Sequence, residues 1–242
     1  MKIIQKMADK ARDPYHREGV TVAFLGDSVT QGCFDIYKNA HGGIETYYDK
    51  RSAYETRVFD IFCTLFPSVP VNIINAGISG DSAPHGLERL SRDVLRHEPD
   101  LCVVCYGLND CGTAANSIER YVSALRGILQ GLAEHGIETI FMTPNMMNTK
   151  VSPHLTDPDF IRLAGETAKK QNDGLFDAHI EAARALCHEM HVPLCDCYAI
   201  WRRLAEAGVD TTELLANKIN HPVPEMNRLF AYELVKTMFA CE

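Results

Sequence analysis

Five short runs rich in β-branched and other apolar residues constrain this chain most: "VTVAFLG" (20–26), "VNIINAG" (71–77), "LCVVCYG" (101–107), "ETIFMTP" (138–144) and "VPLCDCY" (192–198). A strand with one wet face alternates apolar and polar side chains, whereas a run that stays apolar asks for cover on both faces. Helical patterns lie between the runs. Residues 117–133 place Ile118, Tyr121, Val122, Leu125, Ile128, Leu129 and Leu132 at helical spacing, with Ser117 as the expected N-cap. A last helix is expected with Pro222 in its first turn, and with Met226, Leu229, Phe230, Leu234 and Met238 on one face. Strands alternating with amphipathic helices predict an α/β protein, a three-layer α/β/α sandwich around a five-stranded parallel sheet. No repeat, low-complexity tract or linker divides the chain, so residues 1–242 are read as one domain, with 1–19 a helical extension at its N-terminus.

Composition removes several classes of function. Acidic residues exceed basic ones, 32 against 24, for a formal net charge of -8, which disfavours nucleic acid and other polyanionic partners. The nine cysteines are odd in number and mostly sit within apolar runs, as buried thiols do in a reducing cytoplasm. Cys102-x-x-Cys105 falls inside a predicted strand without a partner pair, and His188-x-x-His191 reads as the tail of a helix, so neither is read as a metal site. Residues 1–19 have no apolar stretch of leader length, and no run approaches the roughly 18 apolar residues of a membrane span. The expectation is a cytoplasmic protein acting on a small molecule, away from membranes, with a homo-oligomer left open.

Three predicted strands end in small and polar residues: Gly26-Asp27-Ser28 after the first, "NAGISGDSA" with Gly77, Gly80 and Asp81 after the second, and "GLND" (107–110) after the third. In a parallel sheet these turns share one rim. Each alone is ordinary turn chemistry. Together they supply what acyl transfer requires. A serine hydroxyl needs a base. The tetrahedral intermediate needs donors aimed at its oxyanion, each commonly worth roughly 3–4 kcal/mol. Ser28 N–H, Gly80 N–H and the Asn109 side chain are the candidate donors. Glycine at 80 lets the main chain approach a ligand closely. His221, in "NHP" near the C-terminus, is the candidate base.

The ordered set "GDSVTQG", "NAGISGDSA", "GLND" and "NHP" resembles the SGNH, or GDSL-type, hydrolases from about residue 20 to the last helix. The resemblance implies a flavodoxin-like fold, Ser28 as nucleophile and His221 as base. It also implies oxyanion donors at Ser28, Gly80 and Asn109, and hydrolysis of small esters with no metal or organic cofactor. The expected substrate is an O-acetyl group on a carbohydrate or related metabolite. Thioesterase or lysophospholipase activity and a non-catalytic binding module on the same fold remain alternatives. A flavodoxin-like phosphate binder lacks its glycine spacing here, and no Gly-x-Ser-x-Gly elbow suggests an α/β-hydrolase.

Family members usually carry an aspartate three residues before the histidine, where this chain has Lys218. A backbone carbonyl holding the imidazole is the favoured substitute, with Asp196 or Asp210 reaching in, or a weakened site, as the other possibilities. Two long segments, 33–51 and 145–160, are expected as loops that wall the pocket. Asp27, Tyr37, Tyr47, Asn145 and Asn148 are the candidates to face the substrate, with Asp27 expected chiefly to organise its turn.

Overall fold

The computed structural model describes residues 1–240. After helix α1 (Lys2–Arg12) the chain forms β1 (Val20–Gly26), the single turn α2 (Ser28–Gln31), the antiparallel pair β2 (Cys33–Lys38) and β3 (Ile44–Tyr48), then α3 (Tyr54–Leu65). Next come β4 (Val71–Gly77), α4 (Ala83–Asp93), β5 (Leu101–Cys105), α5 (Ser117–Glu134) and β6 (Glu138–Met142). The remainder is α6 (Pro158–Asn172), α7 (Leu175–Glu189), β7 (Leu194–Cys195), α8 (Cys197–Glu206) and α9 (Pro224–Ala240).

Five strands make one parallel sheet in the order β4-β1-β5-β6-β7, the doubly wound arrangement expected from the apolar runs. The pleat sorts side chains between two cores. Val22 and Phe24 of β1, with Val103 and Cys105 of β5, face a layer holding α1, α3, α8 and α9. Ala23 and Leu25, with Cys102 and Val104, face α4 and α5. Glu138 at the start of β6 accepts from the first free N–H groups of α1, at Lys2 (2.7 Å) and Ile3 (2.9 Å), which fastens that helix to the sheet. Among the described residues no helix is long and apolar enough to cross a membrane.

Four expectations need correction. Residues 33–51 are not a loop but hold the β2–β3 hairpin, in register from Asp35↔Tyr47 to Lys38↔Ile44. The fifth run keeps only two strand residues, because the Asp196 side chain accepts from Ala199 N–H and starts α8 there. Ser117 is the first residue of α5 rather than its cap, and its hydroxyl donates to Gly112 O. Pro222 does not open the last helix, which starts at Pro224; it bridges to Leu215 instead. Of the expected loop 145–160, residues 145–157 form neither helix nor strand, and 158–160 already belong to α6.

Glu55, in the first turn of α3, is 2% exposed. One carboxylate oxygen accepts from Asn75 Nδ2 (2.6 Å), and the other meets no donor. Burial pushes this carboxyl up to about 7 from 4.5. Below pH 4.5 folded and unfolded chains both carry the proton. As pH rises towards 7 the unfolded chain gives it up first, so stability falls through that window and then levels off. Glu55→Gln is therefore expected to raise stability at about pH 8 by about 1–2 kcal/mol, the amide's own unmet N–H offsetting part of the gain. Thermal melts across this pH range check it: the gain should vanish near pH 4.5. An equal shift at both ends would show that burial of charge is not the cause.

Candidate active site

The order of the sheet places its topological switch at β1, whose successors β4 and β5 lie on its two sides, and open α/β sheets bind ligands at that point. Strand register does the alignment. Gly26 stands beside Gly77 on one flank and Cys105 on the other, so the three following turns leave the sheet at one level. Ser28, Gly80 and Asn109 lie two, three and four residues beyond those positions.

Asp27 caps α2: one oxygen accepts from Val29 N–H (3.0 Å), and the side chain is 1% exposed. Ser28 is thereby fixed as the first residue of the turn. Gly77 lets that turn sit hard against β4, since a Cβ there would lie 2.3 Å from Gln31 N. Gly80 adopts φ +77°, a conformation that side chains resist, with open space where a Cβ would stand. The N–H groups of Ser28 and Gly80 meet no acceptor among the described residues. Asn109 Nδ2 donates one hydrogen to Asp81 O (2.8 Å) and keeps a second.

His221 arrives from the far end of the chain. Its Nε2 lies 2.9 Å from Ser28 Oγ, with both residues buried. Asn217 shapes the loop that brings it there, its side-chain oxygen accepting from Ile219 (3.0 Å), Asn220 (2.9 Å) and His221 (2.9 Å) N–H. Lys218 has φ +57° and turns its ammonium to Glu213 (2.9 Å), away from any role as orienter. Neither alternative acid substitutes for the missing aspartate. Asp196 is held by Arg184 (2.8 Å) and Asp210 pairs with Lys150. Nδ1 of His221 is buried without a hydrogen-bond partner; the Phe34 backbone nearby favours the charged ring, but too weakly to offset burial. Burial drives the imidazole down to about 4, so it is neutral at physiological pH. Burial likewise raises Asp27 to about 7, helped by Asp110 and Asp81, and Asp110 to about 6.

The remaining candidates divide. Tyr37 and Tyr47 stand exposed on the outer face of the hairpin, at 48% and 58%. Asn145 and Asn148 lie inside the fold instead of on an open wall. Asn145 donates to Asn220 O (2.8 Å), bracing the His221 loop from behind. Asn148 donates to Lys150 O and Ala164 O and accepts from Thr167 Oγ1, so both its N–H hydrogens are spent on internal contacts. A cavity of about 190 Å³ opens beside Asn109, lined also by Ser82, Asp110, Gly112, Arg120 and Tyr121.

Asn217 was absent from the sequence-derived set, although an asparagine before a glycine-free turn is a recognisable sign of side-chain-to-backbone bonding. Asp81 was named with its turn but given no role, and Arg89 and Tyr106 were not named; the three form a buried cluster beside the Gly80 turn. Among the described residues no three His, Cys, Asp or Glu side chains gather as a metal site would require.

A buried serine–histidine contact at the switch point of a parallel sheet, with unmet N–H groups on the neighbouring turns, is chemically suited to acyl transfer. The chain belongs to the GDSL-like Lipase/Acylhydrolase family, whose model matches residues 24–229. An acetylxylan esterase of Geobacillus stearothermophilus is 26% identical over 92 residues, 38% of this chain and 40% of that protein. The solved acetylxylan esterase Axe2 of the same organism superimposes with a TM-score of 0.65 at 18% identity, over 91% of this chain and 94% of its own. The acetyl xylan esterase AlAXEase gives 0.67 at 19%, over 90% and 98%. A gut microbial diltiazem-metabolizing enzyme gives 0.67 at 21% over 92% of this chain, which spans just 47% of that longer protein. These likenesses establish the three-layer α/β/α fold.

Proposed function

We propose that this chain is a carboxylic ester hydrolase that removes small acyl groups, acetyl above all, from a carbohydrate or related metabolite. The observation that carries the reading is the 2.9 Å contact between Ser28 Oγ and a neutral His221 Nε2. In this mechanism Nε2 takes the serine proton as Oγ attacks the acyl carbon. The oxyanion is received by the N–H groups of Ser28 and Gly80 and by the free hydrogen of Asn109 Nδ2. The imidazolium then gives its proton to the departing alcohol oxygen, and the acyl-enzyme is released by water activated through the same nitrogen. With no carboxylate behind it, the imidazolium is stabilised chiefly by the oxyanion and the Phe34 backbone. Acetyl as the acyl group is supported by the acetylxylan esterases among the similar proteins. The exposed pair Tyr37 and Tyr47 offers ring faces on which a sugar can lie.

Hydrolysis of p-nitrophenyl acetate and butyrate and of acetylated xylo-oligosaccharides tests the proposal. Acetate is expected to be preferred to butyrate, and the acetylated sugar to give the higher kcat/KM. Because the free imidazole titrates near 4 rather than 6.5, kcat/KM should stay nearly flat through neutral pH and fall only as pH drops towards 4. No turnover above that of an inactivated control on any of these esters would sink the hydrolase reading. An acid limb centred at 6.5 would instead place His221 in a wetter site than described.

A further inference from the structure

We propose that Arg89 is the positioning residue of the oxyanion site. Its guanidinium ties the turn carrying Gly80 to the strand ends that carry Ser28 and Asn109, and sets a cation under the carboxylates gathered there. The inference rests on the reading above, in which these three residues receive the oxyanion.

Arg89 lies in α4 and is 8% exposed. Its Nε donates to Asp81 Oδ2 (2.8 Å), and the two hydrogens of Nη2 are shared among the same oxygen (2.6 Å), Gly26 O (3.0 Å) and Tyr106 OH (2.8 Å). Its Nη1 donates to Ala76 O (2.7 Å) and Asp93 Oδ2 (3.0 Å). These partners are not scattered. Gly26 ends β1 two residues before Ser28, Ala76 precedes the last residue of β4, Asp81 follows Gly80, and Tyr106 lies three residues before Asn109. Asp81 closes the ring from above, because its carbonyl accepts from Asn109 Nδ2 (2.8 Å) and its carboxylate from Tyr106 OH (2.9 Å). One planar group thus touches all three segments that bear the proposed donors.

Burying a guanidinium is costly unless its donors are met, and a plain structural ion pair would need just the carboxylates. Here two bonds go to main-chain carbonyls at strand ends, Gly26 O, which also accepts from Ile78 N–H (3.2 Å), and Ala76 O. The rigid fork fixes those carbonyls relative to one another, which a lysine, with one mobile nitrogen, does not reproduce. Charge matters as well as shape. Asp27 feels the charges of Asp81 and Asp110, all three on the turns that bear the proposed donors, and Arg89 pairs with Asp81 (2.6 Å). Without it a negative charge would stand beneath developing negative charge and oppose it.

The test uses the full chain carrying Arg89→Met, Arg89→Lys or Tyr106→Phe. Competent serines are counted by end-point labelling with a fluorophosphonate, and kcat is expressed per labelled serine on p-nitrophenyl acetate. Arg89→Met is expected to lower that kcat about 10- to 100-fold, with KM within about twofold. Arg89→Lys should recover part of the loss, and Tyr106→Phe should cost about two- to fivefold. Amide exchange reads the same tie without turnover: the N–H groups of Ile78, bonded to Gly26 O, and Asp81, bonded to Ile78 O, should exchange at least about tenfold faster in Arg89→Met. Wild-type kcat per labelled serine in Arg89→Met, or unchanged exchange at Ile78 and Asp81, overturns the proposal. Loss confined to the number of labelled serines also overturns it, since the role is then merely structural. If wild type hydrolyses no ester, the hydrolase reading fails by itself, and the exchange rates still decide whether Arg89 holds the turn. Should Arg89→Met not fold, Tyr106→Phe carries both measurements.

Discussion

Ser28→Ala is expected to lower kcat on an acetyl ester by about 10⁴- to 10⁶-fold while leaving the fold intact. The hydroxyl meets His221 Nε2 and sits in a capped turn whose geometry comes from Asp27, so its removal takes the nucleophile and little else. Residual rate would come from water activated by His221 within the surviving ring of donors. His221→Gln should cause a loss of similar size, because an amide is too weak a base to take the serine proton. The double variant should be scarcely worse than either single one, since both act in one step. Rates per folded molecule, with melting curves beside them, make the check. Two folded variants that both turn over as wild type would remove Ser28 and His221 from the chemistry altogether.

Asn109 carries the next largest effect. Asn109→Ala should reduce kcat by about 10²- to 10³-fold with KM changed far less, because the lost hydrogen bond strengthens as the carbonyl oxygen takes up charge. Asn109→Asp should be worse than alanine at neutral pH. It keeps the size but places a carboxylate where the oxyanion is proposed to form, next to Asp110 in the chain. On acidification Asn109→Asp should regain rate relative to Asn109→Ala as its carboxyl takes a proton. Full kinetics on acetate esters for the two variants decide the matter. A rise in KM at constant kcat would mean that Asn109 holds substrate and not the oxyanion.

The sheet was readable from its β-branched and apolar runs. Runs 20–26 and 71–77 became β1 and β4 residue for residue, the second although β4 is an edge strand, half covered, and its Asn75 side chain accepts from Gly77 N–H (3.0 Å). The run at 192–198 was cut short by Asp196, whose capping bond outcompeted the strand. The hairpin was missed for a physical reason. Its Asp35 and Tyr37 face lies in water and its Ile36 and Lys38 face is half covered, so no apolar stripe marks it. The alternation in "FDIYK" and the "HGG" turn were nonetheless there to be read. At the site, the rim residues could be named because each follows a strand end. Arg89 could not, because a cation in "GLERLSR" looks like the wet side of a helix until the strands are set beside it.

Ser28 and His221 touch across 193 residues of sequence. Ser28 therefore leaves the ribosome well before the histidine it meets. A chain caught between the two holds the serine without the imidazole beside it, and is expected to be inert towards esters. Closing so long a loop is also slow compared with forming any single helix. Recovery of turnover during refolding should thus trail the return of secondary structure, which makes the reaction itself a clock for the last step of assembly.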